Sequence, residues 1–245
     1  MDSRVLTLGV VAGLAVAGLA RRRAAGSRDA LTPTDTTGLV VGETKFGTPA
    51  VVLVDLAKLE GAQDLSDLEE RTDAVLGFIA MDYPKDYEEH PTSVCDDSDG
   101  GSPLQVSMAV AQKGWGPLIY DAALWVAADN ATGDEAYNGF LMPDRNNVFP
   151  GAQKVWTYYA TNRKADVSIR KISKGCPQHG WPDLDPILDR MYKAKMNRPA
   201  FRRMGDLYQR WADACEELEE ALGMDREEIE AELVKMGEQF FEEKI

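Results

Sequence analysis

Histidine and cysteine are scarce in this chain of 245 residues, with two of the first and three of the second. Two histidines leave no Ser/His/Asp grouping on which to rest nucleophilic hydrolysis. Cys95, Cys176 and Cys215 are odd in number and far apart. They imply no disulfide framework, so a reducing compartment is the expectation. Cys176-Pro-Gln-His179 has metal-ligand spacing on one side only, and Cys95 and His90 would have to complete four ligands. We therefore expect no metal site. Basic residues are also in deficit: 27 Lys and Arg stand against 41 Asp and Glu, a formal net charge of -14. Nonspecific nucleic-acid binding needs a basic face, so that class is not expected. No Gly-Lys-Ser/Thr closes a phosphate loop, and no GxGxxG follows a strand, which argues against P-loop and dinucleotide-binding chemistry.

What is present is a soluble globular composition, 44% hydrophobic and 28% charged, long enough for one core and an appendage. Residues 5–20 (VLTLGVVAGLAVAGLA) are uncharged and run into Arg21-Arg22-Arg23. The run is shorter than the roughly 20 residues that span a bilayer. A signal peptide has this core length, with Ala15-Val16-Ala17 as a cleavage pattern, but its leader is barely basic and the arginines lie on the wrong side. A short anchor with the arginines kept cytoplasmic fits the charges better. A signal peptide and a helix buried in an assembly are the alternatives. Residues 1–23 are thus expected to be a separate apolar segment with a basic flank, making membrane or virion-assembly contact through residues 5–20. Residues 24–37, rich in Ala, Ser, Thr and Asp, read as a linker. The expected location is cytoplasmic or virion-associated.

Residues 38–175 read as an α/β domain. Strands are expected at 39–41, 50–56 and 74–81, then a surface loop at 85–103. Leu104, Val106, Met108 and Val110 alternate with other residues, which is the period of a half-buried strand. Lys113-Gly114-Trp115-Gly116-Pro117 follows, then an apolar helical run through Leu118, Ala122, Trp125 and Val126. Strand, glycine turn and helix aim backbone N–H groups and the helix dipole at one spot, an anion site. Pro117 suits a first helical turn. Further on come a short strand at 140–142, a helix at 150–162 and a weaker strand at 166–172. Strands alternating with helices indicate a mixed sheet. Residues 176–245 are expected to be a helical extension. Phe201, Met204, Tyr208, Trp211, Cys215, Leu218 and Leu222 form one seam. Gly223 breaks it, and Asp225 with Glu228 forms a capping box for a second helix bearing Ile229, Leu233, Met236 and Phe240.

The turn resembles the pyrophosphate-binding turn of the GNAT acyltransferase superfamily, Gln/Arg-x-x-Gly-x-Gly/Ala. Gly114 and Gly116 fill the glycine positions, and Ala111 stands where Gln or Arg is usual. Gly-Trp-Gly-Pro-Leu-Ile-Tyr-Asp from Gly114 to Asp121, Asp144-Arg145, Val155-Trp156-x-x-Tyr159 and Arg163-x-x-Asp166-Val167 follow in order. In this the chain is similar to uncharacterised GNAT-like proteins, mostly of tailed phages and marine viral sequences, over roughly residues 50–175.

The resemblance implies a GNAT-like mixed, splayed sheet with flanking helices, joined here to a C-terminal helical hairpin. It implies acetyl-CoA or another acyl-CoA as substrate, held by Met108, Val110, Lys113, Gly114, Trp115, Gly116 and Leu118. The acyl group would pass to an unidentified amine. Trp156 occupies the place of the family's acid tyrosine, and an indole cannot act as that acid. Tyr158 or Tyr159 is the substitute, or the step needs no acid. The ordinary role for Trp156 and Tyr159 is core packing. Asp144 lies just past a strand end, where a base can stand; its ordinary role, with Arg145, is a surface ion pair. Asp121 is favourable near a helix N-terminus without any catalytic part. The alternative function is an inactive protein of the same fold, serving in a virion or its assembly. Deleting residues 1–30 should leave a cooperatively melting, more soluble protein, checked by thermal denaturation and sedimentation; loss of the cooperative transition would show that the segment belongs to the core.

Overall fold

The computed structural model describes residues 33–82, 102–130, 137–144, 148–172 and 187–244. The apolar segment at 5–20, the arginine cluster, nearly all of the expected linker, most of the 85–103 loop, Arg145, and the Cys95, His90, Cys176 and His179 set lie outside these residues. Among the described residues no helix is long and apolar enough to cross a membrane, and no cluster suits a metal ion.

The chain forms a mixed α/β fold around one seven-stranded sheet, in the order β1-β2-β3-β4-β5-β7-β6. The strands are β1 (Thr37–Glu43), β2 (Pro49–Asp55), β3 (Val75–Asp82), β4 (Ser102–Ala111), β5 (Tyr137–Met142), β6 (Val167–Lys171) and β7 (Arg190–Ala194). The helices are α1 (Leu56–Leu59), α2 (Leu65–Glu69), α3 (Gly116–Asn130), α4 (Pro150–Thr161), α5 (Pro199–Leu222) and α6 (Arg226–Glu242). Strands β1 to β4 are antiparallel neighbours, β4 and β5 are parallel, and β5, β7 and β6 are antiparallel again. A parallel pair needs a crossover, which α3 supplies.

The centre of the sheet is covered on both sides, so its strands are continuous apolar runs. Residues Ala50 to Val54 of β2 are all fully buried. On one face lie α3, α4 and the first half of α5, bringing Leu124, Trp156, Tyr159, Phe201 and Leu207 into one core cluster. On the other lie α1, α2, α6 and the second half of α5, with Leu59, Leu68, Trp211, Leu218, Ile229 and Leu233. Helix α5 therefore lies along β1 and serves both cores. It covers an edge strand that would otherwise invite pairing with another chain. Gly223 ends α5 in a left-handed conformation, φ 66°, as helix C-termini favour. Asp225 Oδ1 accepts from Glu228 N at 2.9 Å, and Glu228 Oε2 accepts from Asp225 N at 3.1 Å, completing the expected capping box.

Three local features depart from the sequence expectation. First, the C-terminal segment expected to be helical contains β7, which enters the sheet between β5 and β6. Its five residues, Arg-Met-Tyr-Lys-Ala, are too few and too mixed in polarity to carry a clear period. Second, the expected loop at 85–103 ends earlier, because Ser102 and Pro103 already belong to β4. Pro103 is tolerated because pairing with β3 reaches only Gln105. Third, the alternation in β4 does not persist. Ala80 pairs with Met108 and Met81 with Val106, so Ser107 is bulged out. Leu104 and Val106 face the α3 core, but Met108 and Val110 face the α6 core, while Ala109 and Ala111 take over toward α3.

Helix α6 approaches β3 closely at Gly237, where a Cβ would stand 2.5 Å from the ring of fully buried Phe78. Gly237→Ala should therefore cost about 1–3 kcal/mol through overpacking. Gly205 of α5 faces open space, so Gly205→Ala should gain about 1 kcal/mol from helix propensity. Urea denaturation of both variants checks the pair of signs.

Candidate functional site

Strand β4 outlives its neighbour. Pairing with β5 runs from Ser102 to Gln105 and stops at Met142, where Pro143 ends β5. From Val106 to Ala111 the edge of β4 toward β5 has no strand beside it among the described residues, while the other edge stays paired with β3. A cavity of about 950 Å³ fills the gap, at the upper end of the size range of small-molecule sites. Both faces of β4 border it, Ala109 and Ala111 from one side and Met108 and Val110 from the other.

The turn at the end of β4 is built rigidly. Gln112 N donates to Leu76 O at 2.9 Å, and Gln112 Nε2 donates to Val75 O at 2.7 Å, tying the turn to β3. Gly114 sits at φ 93°, a conformation that favours glycine. Trp115 N donates to Gln112 O, and the Trp115 side chain is buried in the α3 core. Trp115 O then accepts from Leu118 N and Ile119 N, starting α3. The N–H groups of Lys113, Gly114 and Gly116 find no acceptor among the described residues, and all three residues line the cavity. Gly116 needs neither a positive φ nor close packing, since a Cβ there would meet nothing within 4 Å. A side chain there would project into open space at the cavity lining.

Helix α4 begins at the same cavity. Its N-cap, Phe149, offers no side-chain hydrogen bond, Pro150 opens the first turn, and Gly151 again leaves open space where a Cβ would be. The ionisable lining comprises Lys113, Lys154 and Lys244 with Asp144 and Tyr158 and Tyr120. Three cations to one carboxylate reverses the balance of an acidic chain. Asp144 is half-buried and accepts from Gln105 Nε2 at 3.2 Å.

Directly behind the turn, a buried network fastens α3 to α4. Arg163 Nη1 donates to Asp121 Oδ1 at 2.5 Å and Oδ2 at 2.7 Å, and its Nε donates to Asp166 at 2.9 Å. Tyr159 donates its hydroxyl to Asp121 Oδ1 at 2.6 Å. The guanidinium also lies over the Tyr159 and Phe201 rings. Burial pushes the Asp121 carboxyl above the usual carboxylate range, with Arg163 pulling it back. Burial, with Asp121 alongside, raises the Tyr159 phenol well above its ordinary value. Trp156 stacks edge-on against Tyr120 at 5.2 Å and packs on Tyr192 at 5.0 Å, joining α4 to α3 and β7.

The sequence candidates therefore divide. Met108, Val110, Lys113, Gly114, Gly116, Tyr158 and Asp144 come together around the cavity. Trp115 and Leu118 are core residues behind it, and Tyr159 is fully buried and committed to Asp121. Asp121 is no dipole partner at the surface: it is the buried acceptor of Arg163 and Tyr159. Its i-to-partner separation of 42 residues has no local sequence signal. Phe241 and Lys244 of the C-terminal end also line the cavity; nothing in the spacing of a helix late in the chain points back to β4. No family model, curated protein or solved structure matches this chain.

Arg163→Met would leave the Asp121 carboxylate buried and unpaired, at a cost of about 3–5 kcal/mol. Without its partner, the folded-state carboxyl would sit further above its unfolded value. Such a raised acid makes the folded state bind more protons, so stability falls as pH rises through that window. The deficit of Arg163→Met relative to the parent should then be larger at pH 8 than at pH 5, as read by urea denaturation.

Proposed function

We propose that the cavity binds an acyl-coenzyme A and that the protein transfers its acyl group to a primary amine, as the GNAT-like reading of the turn implies. One observation carries this reading: in the turn that leads into α3, the N–H groups of Lys113, Gly114 and Gly116 have no acceptor among the described residues, and these three residues line the cavity. Pyrophosphate oxygens suit such a turn, because the donors and the dipole are fixed in advance. Lys113 and Lys154 add screened positive charge at the same cavity. The free edge of β4 offers backbone groups to an extended, amide-bearing arm, as a strand edge does to a peptide. The parting of β4 from β5 after Gln105 also supports this reading, since a mixed, splayed sheet is what the resemblance implies.

In the reaction the amine nitrogen attacks the thioester carbonyl, the carbon–sulfur bond breaks, and coenzyme A leaves as its thiolate. Asp144 takes the proton lost by the amine, and Tyr158 returns one to the sulfur. Tyr159 is not used, because its hydroxyl is held by Asp121. The sequestration of Tyr159, with Trp156 in the acid position, supports the second reading: an inactive protein of this fold acting in a virion or its assembly. The apolar segment at 5–20 would then be a membrane or assembly contact.

Calorimetry with acetyl-coenzyme A tests the binding. Gly116→Val should abolish it while leaving the melting temperature unchanged, since the new side chain fills cavity and not core. Lys113→Ala should weaken it only about two- to fivefold, the scale of a screened exposed charge. Tyr158→Phe should lower kcat by about 100-fold if it is the acid, and Trp156→Tyr should leave affinity intact. Equal affinity in Gly116→Val and the parent, or no affinity in a folded parent, would falsify the acyltransferase reading and favour the assembly one.

A further inference from the structure

The cavity draws its lining from both faces of the sheet, and we call the space beside each face a compartment. The Ser107 bulge turns Met108 and Val110 toward α6, where half-buried Phe241 packs into the same cluster. These three residues and Lys244 form the α6-side wall. The Lys244 ammonium lies over the Phe240 ring, 5.6 Å from its centroid, so the lysine is held against this end of α6. The other compartment, on the α3 side, is bordered by Ala109, Ala111, Gly116 and Ile119. The two meet at the free edge of β4, with Asp144 at the root of the opening beside Gln105.

A transfer between two molecules brings them to one carbon from different directions. Only the α3-side compartment has the anion-binding turn, so the coenzyme occupies that side and the second substrate takes the other. We infer that the α6-side compartment is the acceptor site and that it takes an amino carboxylate: a primary amine on an apolar body that also carries a negative charge. This inference rests on the acyltransferase reading. Met108, Val110 and Phe241 offer apolar surface to the body of the acceptor. Lys244, the one charged described residue on that wall, attracts its carboxylate and repels a polycation. Asp144 receives the amine end, where the proton must be lost. The amide bond forms as the carbon–sulfur bond breaks, the amine's proton passes to Asp144, and coenzyme A leaves as the thiolate, which takes a proton from Tyr158.

The test uses the full chain with acetyl-coenzyme A and three acceptors: 6-aminohexanoate, hexylamine and spermidine. Release of free coenzyme A is followed by chromatography. The expected order of kcat/KM is 6-aminohexanoate, then hexylamine, then spermidine. Lys244→Glu, an exposed change near the chain end, should cut kcat/KM for 6-aminohexanoate by about tenfold and raise that for spermidine, with coenzyme affinity unchanged. A parent that prefers spermidine, an order unaltered by Lys244→Glu, or no turnover with any of the three while coenzyme A binds, would overturn the inference and leave the coenzyme reading standing. Absence of coenzyme binding by calorimetry would remove both.

Discussion

The early end of β5 governs the rest of the structure. A buried strand edge normally has its N–H and C=O groups paired. Here Pro143 stops β5 after Met142, and from Val106 to Ala111 β4 stays paired with β3 on one edge, with no described strand on the other. The opening that results is lined by backbone groups, by the first turns of α3 and α4, and by side chains from both cores. A β5 longer by a few residues would close the edge of β4 and remove the cavity with it. The bulge at Ser107 completes the arrangement, because it hands consecutive parts of β4 to opposite faces of the sheet. The strand thereby borders both compartments rather than one.

The stiffness of this opening comes from behind it. Asp121 lies one turn into α3, and Arg163 and Tyr159 reach it from the end of α4. Burying a carboxylate is costly, and a guanidinium held in two-point contact offsets that cost only in good geometry. The pair therefore adds little net stability but penalises any shift of α3 against α4. The pair thus ties the start of α3 to the end of α4. The glycines at the cavity differ: Gly114 takes a backbone angle that favours glycine, whereas at Gly116 and Gly151 a Cβ would meet only open space.

The layered α/β architecture was legible because hydrophobic period is a local property. The runs at 39–41, 50–56 and 74–81 lie within or across β1, β2 and β3, and the 150–162 run matches α4. The capping box of Asp225 and Glu228 was legible for the same reason, since its partners are three residues apart. The strand-to-helix turn at Lys113 to Gly116 was legible for the same reason, since glycine between an alternating run and a helical run marks a turn, and Gly114 takes the positive φ that such a turn uses. Local reading failed where a single residue changed phase. The bulge at Ser107 inverts the facing of Met108 and Val110, and a period of two cannot register an inserted residue. It failed also at β7, whose membership in the sheet depends on β5 and β6 lying on either side.

What the sequence by itself determined was the α/β class, most of the strands and helices, the turn after β4 and the capping box of α6, since propensity, capping and periodicity act between near neighbours. Which of its tyrosines is free was decided only by tertiary structure. Tyr158 and Tyr159 are adjacent in sequence, yet one lines the cavity and the other is consumed by Asp121 and Arg163. The same holds for Phe241 and Lys244, which join β4 from more than a hundred residues away. Burial, pairing of charge and the shape of a cavity are set by contacts between distant segments, and those exist only once the sheet has closed around its two cores.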